Sequence, residues 1–115
     1  MAIFFVWYML QFPSLDRDWS DDGKILASVS IEGDLVRVKN VRDFDYRSTT
    51  DYTPNYYDAV YDTRQIVRAW YIIEPFGGHD GPAHTMLAFD FDDGQFVTVS
   101  AEIRKEVGES FDAIK

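Results

Sequence analysis

Cysteine is missing from this chain, and basic residues are scarce. Without cysteine, these 115 residues form no disulfide, no thiolate metal site and no thiol nucleophile. The 11 lysines and arginines face 20 aspartates and glutamates, which gives a formal net charge of −9. No run of basic residues is longer than two. Because such a surface repels phosphate backbones, we predict no nucleic-acid partner.

Long hydrophobic runs are also missing, apart from one at the start of the sequence. Residues 2–10 (AIFFVWYML) are apolar and rich in aromatics, but about 20 such residues are needed to cross a bilayer. The segment has three interpretations: a buried strand, an interfacial aromatic belt or the end of a membrane helix, and a short exported leader. We divide the chain into this apolar segment, residues 1–12, and a domain over residues 13–115. The polar, turn-rich residues 13–24 are predicted to form a linker.

The rest of the sequence has the alternation of β-strands. Hydrophobic residues make up 46% of the chain, which is ample for the core of one domain or part of one. Residues 27–31 and 35–41 alternate apolar and polar around a turn at 32–34, as in a β-hairpin. We further predict a short strand at 43–48, a loop at 49–57, and a turn followed by a buried strand at 63–75. The fold class is therefore mostly β, an antiparallel sheet of hairpins.

A second hairpin, over residues 83–106, carries the candidate chemistry. Period-two alternation keeps the apolar side chains of both strands on one face only if the loop has an odd number of residues. A three-residue loop of Asp92, Asp93 and Gly94, with Gly94 in the left-handed conformation, meets this condition. His84 then lies opposite Glu102, with about 5 Å between their Cβ atoms. A carboxylate in that place fixes the tautomer of an imidazole and raises its basicity, as in a catalytic triad.

Simpler interpretations of the same residues stay open. The same pattern fits an ordinary strand histidine at position 84 and a solvated acid at position 102, neither with a catalytic role. A metal site built from both histidines and Asp80 is the remaining alternative. Two histidines are too few for a convincing zinc centre, and His79 lies in a glycine-rich loop. We therefore predict no metal and no cofactor.

Three arginines form a second group of candidate binding residues. Arg42, Arg47 and Arg104 flank predicted strands in an acidic protein. Guanidinium groups in such places are typical of binding to a phosphate or carboxylate group. The alternative is ion pairing with acidic neighbours, such as Asp43, Asp45 and Glu102.

Three short blocks of the sequence are specific in combination, although each alone is common. The first comprises Asp18-Trp19, Gly33-Asp34 and residues 40–48 (NVRDFDYRS). The second comprises residues 83–85 (AHT) and 89–94 (FDFDDG), and the third residues 99–106 (VSAEIRKE) with Gly108-Glu109. Together, over residues 13–115, they resemble the Lnb N-terminal periplasmic domain, a family of the bacterial envelope.

The resemblance implies a circularly permuted papain-like fold, of class α+β, for the complete family domain. In that arrangement a strand histidine comes first, a polar residue follows on the next strand, and a nucleophilic cysteine on a helix comes last. His84 matches the family histidine and Glu102 a position in the following motif, while the orienting role of Glu102 is our inference from the hairpin register. In the intact protein we expect His84 as the general base and Glu102 or Ser100 as its orienter. The family cysteine lies downstream of the third block. We therefore expect this chain to be an incomplete, N-terminal part of the domain and inactive by itself.

The resemblance also implies a function. Members are implicated in lipoprotein N-acylation, in which a thiolate takes an acyl chain from a phospholipid and passes it to the N-terminal amine of a lipoprotein. We expect a membrane-associated domain on the periplasmic face of the inner membrane, with phospholipid and lipoprotein as partners. Enzyme class stays open, since an envelope cysteine peptidase or amidase uses the same machinery. A non-catalytic β domain that binds a partner through exposed apolar surface is a third alternative.

Overall fold

The computed structural model describes residues 2–9, 14–48, 50–76 and 83–109. It is mostly β, and its strands pair antiparallel, which confirms the predicted fold class. The chain divides into two compact units. The first comprises Met1–Lys24 and Arg104–Lys115, and the second Ile25–Ile103.

The helices and strands follow one another in a simple order. The helices are α1 (Ala2–Met9) and α2 (Asp21–Lys24). The strands are β1 (Ser28–Glu32), β2 (Leu35–Arg42), β3 (Asp45–Tyr46), β4 (Tyr52–Thr53), β5 (Tyr56–Asp62), β6 (Ile66–Pro75), β7 (Ala83–Phe91) and β8 (Phe96–Ser100). A 3-10 turn, Thr63–Gln65, joins β5 to β6. In the described residues the strands form a β1–β2–β5 sheet, a β3–β4 pair and a β6–β7–β8 sheet.

In the first unit, two distant segments pair through their backbones. Trp19 forms an antiparallel bridge with Glu106, and the Val107 amide donates to the Asp18 carbonyl at 2.8 Å. The Ser20 amide donates to the Lys105 carbonyl at 3.0 Å. The prediction of a linker at residues 13–24 is therefore wrong for its described part, residues 14–24. Polar, turn-rich composition reports local preference and gives no sign of a partner that follows much later in the chain.

The described part of the apolar N-terminal segment is the helix α1, which rules out the buried-strand interpretation. Its side chains from Ile3 to Tyr8 are all exposed. Among the described residues, no helix combines the length and the apolar character that a membrane crossing requires. The belt, membrane-helix and leader interpretations stay predictions.

The β1–β2–β5 sheet sorts most of its side chains by polarity. The predicted first hairpin is present, with Glu32 opposite Leu35 and Gly33 at φ +61° in the turn. Val29 pairs with Val38, and Val36 with Tyr61, so one face of the sheet is apolar. Serines, Arg37 and Lys39 lie exposed on the other face, which also carries Leu35 and Val60. This alternation is what a half-covered antiparallel sheet requires.

Part of the predicted loop at residues 49–57 is in fact strand. Tyr52–Thr53 forms β4 and pairs with Asp45–Tyr46 of β3, while Tyr56 begins β5. Pro54 lies between β4 and β5, where its missing N–H interrupts no ladder. The prediction failed because cross-strand pairing, rather than local propensity, makes this short hairpin.

The β6–β7–β8 sheet contains the predicted turn and strand after residue 63, but that strand is not buried. β6 pairs with β7 from Ile66 to Pro75, yet Trp70 is 45% exposed and Tyr71 67%. β-Branched and aromatic residues favour a strand without showing what covers it. The most buried hydrophobic side chains of the described residues are Tyr61, Ala88 and Phe91. The rings of Tyr61 and Phe91 stack 5.2 Å apart and so join β5 to the end of β7.

Candidate functional site

The β7–β8 hairpin has the register that the sequence predicts. Met86 pairs with Ser100 and Asp90 with Phe96, which leaves Asp92, Asp93 and Gly94 as the loop. The Phe91 amide donates to the Gln95 carbonyl at 3.0 Å, and Gly94 has φ +86°. Residues with a side chain rarely adopt that φ, so the glycine at this position helps to fix the loop length. The loop length in turn fixes which residue faces His84.

His84 and Glu102 are neighbours, as this register requires. Nε2 of His84 lies 4.0 Å from Oε1 of Glu102, which is an ion-pair distance and longer than a hydrogen bond. The imidazole is three-quarters covered, and the ring of Phe76 lies 6.5 Å from it. Since Nε2 points to the carboxylate, Nδ1 is the nitrogen left to accept a proton from a reacting group. The pair therefore has the geometry of a base beside its orienting acid.

Two further side chains hold the Glu102 carboxylate. Nη2 of Arg42 donates to both oxygens, at 2.9 Å to Oε2 and 3.1 Å to Oε1. The hydroxyl of Ser100 donates to Oε1 at 3.0 Å. Arg42 ends β2 and Ser100 ends β8, so these strand ends meet at the carboxylate. We call His84, Glu102, Ser100 and Arg42 the histidine–carboxylate cluster.

An aromatic group lies beside the cluster. The guanidinium of Arg42 is 5.8 Å from the centre of the Phe44 ring, close enough for a cation–π contact. Phe44 stacks on Tyr52 at 5.5 Å and meets Tyr56 edge-on at 5.2 Å, while Tyr46 lies 5.2 Å from Tyr52. These rings come from β3, β4 and β5 and from the residue before β3. Phe44 links this aromatic group to the Arg42 side chain.

Sequence reasoning missed one acidic neighbour of His84. Glu74 of β6 is the direct cross-strand partner of His84 in the β6–β7 ladder, so the histidine strand lies between two glutamates. The signal was present in the sequence, as an acid near the end of a predicted strand. It could not be used because the pairing of β6 with β7 was not predicted. The two glutamates differ in their surroundings, since Arg42 and Ser100 fix Glu102.

The other predicted binding arginines are held by their own neighbours. Arg47 donates to both carboxylate oxygens of Asp51, at 2.6 and 3.0 Å, and to the hydroxyl of Thr53 at 3.0 Å. Arg104 belongs to the first unit, where its guanidinium lies 4.0 Å from the centre of the Trp19 ring and donates to the Gly23 carbonyl. Arg42 and Arg47 both form ion pairs in the structure, as the alternative interpretation predicts. Binding of an anionic ligand by the three arginines stays a prediction.

Of the three residues in the metal alternative, the structure describes His84. His79 and Asp80 lie outside the described residues. In the described part of the chain, no group of three or more histidine, aspartate and glutamate side chains is arranged to hold a metal ion.

Several perturbed groups lie away from the cluster and have structural causes. Burial, together with a hydrogen bond to Tyr57, raises the pKa of Tyr61 to about 12. Hydrogen bonds from Arg64 lower the pKa of Asp62, and that pair caps the 3-10 turn. Burial works to raise the pKa of Asp22, but hydrogen bonds from Ser20 and Lys105 outweigh it and hold that pKa below the usual range.

These observations define an antiparallel β domain with a histidine–carboxylate cluster at the meeting point of two strand ends. The family model of the Lnb N-terminal periplasmic domain matches residues 52–115, more than half of the chain, and the chain belongs to this family. The match includes His84, Ser100 and Glu102, while Arg42 precedes it. The domain is therefore a periplasmic one of the bacterial envelope. Searches of curated proteins and of solved structures found no match.

Proposed function

We propose that this domain supplies the base of a thiol acyltransferase-like site that acts in lipoprotein N-acylation at the periplasmic face of the inner membrane. The observation that carries the proposal is the histidine–carboxylate cluster. His84 lies 4.0 Å from a glutamate that Arg42 and Ser100 hold in place, in a chain of a periplasmic envelope family. The thiolate comes from a cysteine outside these residues, because they contain none.

His84 acts as the general base in this mechanism. Nδ1 takes the proton of the thiol, and the thiolate attacks the ester carbonyl of a phospholipid. The carbon–oxygen bond to the glycerol breaks, the leaving alkoxide takes the proton from His84, and a thioester remains. The neutral N-terminal amine of a lipoprotein then attacks the thioester and gives one proton to His84, the carbon–sulfur bond breaks, the leaving thiolate takes that proton back as a thiol, and an amide is formed. Glu102 stabilises the imidazolium that exists between the two proton transfers.

The test measures N-acylation of a lipoprotein by mass spectrometry, with the protein produced in full in its bacterial host. His84→Ala is expected to lower the rate by about 10²- to 10⁴-fold, the usual contribution of a general base. Thr85→Ala is the matched control, because Thr85 is exposed and points to the other face of the same strand. Normal acylation by the His84→Ala protein would overturn the proposal.

The two alternatives make different predictions in the same assays. An envelope peptidase or amidase would also lose activity with His84→Ala, but would release a peptide or amine rather than acylate one. A non-catalytic binding domain is favoured by the exposed apolar face of the β6–β7–β8 sheet, where Tyr71, Leu87 and Val99 are about half exposed or more. Such a domain would tolerate His84→Ala and lose its partner when this face is made polar.

A further inference from the structure

Strand β6 is an outer strand of the β6–β7–β8 sheet and the longest strand at any sheet edge of the described residues. It pairs with β7 on one side, and on its other side no described strand pairs with it. It has ten residues, whereas the other outer strands of the three-stranded sheets, β1, β5 and β8, have five, seven and five. An outer strand presents a row of backbone N–H and C=O groups with which a further strand can pair.

The composition of β6 does little to prevent such pairing. Soluble proteins protect an outer strand with charged side chains, proline or a bulge. In β6 none of residues 69–73 is charged, and the side chains of Tyr71 and Ile73 are more than half exposed. Pro75 is the last residue of the strand, and the register shift of its ladder with β7 lies before Arg68. The protective features are therefore at the two ends, and the central part of the edge is apolar.

Two charged residues of opposite sign lie on either side of this apolar stretch. Arg68 and Glu74 are six positions apart, about 20 Å in an extended strand, so they do not pair with each other in one chain. Glu74 is the cross-strand partner of His84, and Arg68 shares its face because the two positions differ by an even number. Within the described residues, the Glu74 side chain forms no hydrogen bond or ion pair. Arg68 lies 3.8 Å from Asp90 in an exposed pair, which contributes little to stability.

We propose that β6 pairs antiparallel with β6 of a second copy of this chain, about a two-fold axis at Tyr71. Such an axis is perpendicular to the sheet, so directly opposed residues lie on the same face of the joined sheet. The register that sets Arg68 opposite Glu74 of the second copy also sets Tyr71 opposite the same residue of that copy. By symmetry the charge pair then occurs twice. Opposite charges and aromatic rings directly across a ladder both stabilise it, and a shift of two residues either way would lose both charge pairs.

The pairing brings a residue of the second copy into the surroundings of His84. It joins two three-stranded sheets into one of six strands. The row of side chains that crosses the sheet at His84 then continues through Glu74 to Arg68 of the second copy. That guanidinium offsets the charge of Glu74 and leaves Glu102 as the acid that His84 meets on its other side. The inference does not rest on the proposed function, since it follows from the strand edge and its charges.

The experiment is cysteine cross-linking of the full protein in the periplasm of its bacterial host, an oxidising compartment, with gel electrophoresis without reductant and mass spectrometry as the readout. Directly opposed residues have Cα atoms about 4.5–5.5 Å apart, within the range of about 4.4–6.8 Å that a disulfide spans. Tyr71→Cys should therefore form a covalent dimer. Ile73→Cys is the matched control, because it lies on the same face but is opposite Ala69 of the second copy. It should form a dimer only when it is produced together with Ala69→Cys.

Charge reversal tests the register by a second route. Arg68→Glu sets like charges opposite each other twice, and it should weaken dimerisation of the purified full protein by about tenfold or more in sedimentation. Glu74→Arg should have the same effect, and the variant with both changes should recover the wild-type affinity. Arg37→Glu, at an exposed residue of β2, changes the net charge equally and should leave the affinity unchanged.

The outcomes separate the possible occupants of this edge. A dimer from Tyr71→Cys and from the mixed pair, together with recovery in the double charge variant, supports the inference. Equal cross-linking by Ile73→Cys alone would indicate random collision and overturn it. A Tyr71→Cys protein that stays monomeric, or that forms a disulfide with a different protein, would overturn it as well. None of these readouts needs acyl transfer, so the acyltransferase proposal is tested separately.

Discussion

The two three-stranded sheets of the second unit distribute their polar side chains differently between the covered and the exposed face. In the β1–β2–β5 sheet, the apolar face contains the better covered residues, such as Val38 and Tyr61, and the polar face is open. In the β6–β7–β8 sheet, the face of His84 and Ala88 is the better covered one, although it also contains Asp90 and Ser100. Its other face exposes Tyr71, Leu87 and Val99, although the half-buried Phe89 and Val97 and the buried Phe91 lie on it nearer the hairpin loop.

The difference teaches where to look for function in this fold. A sheet whose sole role is to hold a core has no reason to place a histidine and a serine on its covered side beside a glutamate, since partly buried polar groups need partners. Here those partners are one another and Arg42. The exposed apolar side chains on the other face of the same sheet are the observation on which the binding-domain alternative rests. The following predictions test this contrast, from the largest expected effect to the smallest.

The contact between Tyr61 and Phe91 joins the two sheets and should be the most sensitive point. Phe91→Ala removes a ring that is 7% exposed and is expected to lower the free energy of unfolding by about 3–5 kcal/mol. The measurement is urea denaturation followed by circular dichroism. Phe96→Ala, at a ring in the same sheet that is about half exposed, is the control and should cost much less. Equal losses of unfolding free energy in Phe91→Ala and Phe96→Ala would contradict a particular role of Phe91 in joining the two sheets.

Alkaline pH should weaken the same contact. Burial and the hydrogen bond to Tyr57 raise the pKa of Tyr61 to about 12, above the usual value of 10. The neutral phenol therefore stabilises the fold fully below about pH 10, and this stabilisation is lost as the pH rises from about 10 to 12. The loss is about 2–3 kcal/mol. Denaturation along this pH range should show the loss in the wild type and in Tyr71→Phe, but not in Tyr61→Phe. A steep alkaline loss that survives in Tyr61→Phe would assign it to another group.

The two hairpin turns separate stability from site geometry. Gly33 and Gly94 both have positive φ, and an added Cβ would meet no atom within 4 Å at either. Alanine at each position should therefore cost about 1–2 kcal/mol from backbone strain alone. Only Gly94→Ala acts on the hairpin that sets His84 opposite Glu102. We expect equal losses in denaturation, but a change in the His84 NMR signals with Gly94→Ala alone. Unchanged His84 signals in both variants would separate the turn from the site.

Threonine substitutions compare the two faces directly. Leu87→Thr, on the open face, is expected to change the free energy of unfolding by less than about 0.5 kcal/mol. Val38→Thr places a hydroxyl on the half-covered apolar face of the other sheet and should cost about 1 kcal/mol or more. A larger loss for Leu87→Thr than for Val38→Thr would mean that the open face is covered in solution. Sedimentation would then show whether a second copy covers it.

The sequence predicted those parts of the fold that depend on local pattern. Alternation identified both hairpins, and the odd loop count with Gly94 gave the register of His84 and Glu102 in advance. The sequence did not predict which segments far apart in the chain pair with each other. That limit explains the supposed linker, which pairs with Lys105 and Glu106. The β3–β4 hairpin is local and was missed because its residues have the composition of a loop. Strand propensity states that a segment is extended and leaves open which surface covers it.

The candidate site was predicted in the same partial way. The sequence alone sufficed to predict that His84 and Glu102 are neighbours, because both positions depend on the register of one hairpin. Arg42 was singled out for its charge, and Glu102 was among its possible ion-pair partners, but the bonds from one nitrogen to both oxygens depend on the meeting of β2 with the end of β8. Glu74 was overlooked for the same reason. Long-range strand order, which the sequence does not state, decides which acids surround a base.

The two glutamates that flank His84 provide the most direct test of the central claim, which is that Glu102 orients His84 as a general base. The measurement is the rate of lipoprotein N-acylation by Glu102→Gln and by Glu74→Gln, each in the full protein. A charge-assisted hydrogen bond of about 1.5–3 kcal/mol corresponds to a loss of roughly 10- to 150-fold for Glu102→Gln. Glu74→Gln should stay within a few-fold of the wild type. A larger loss with Glu74→Gln, or none with Glu102→Gln, would contradict the account.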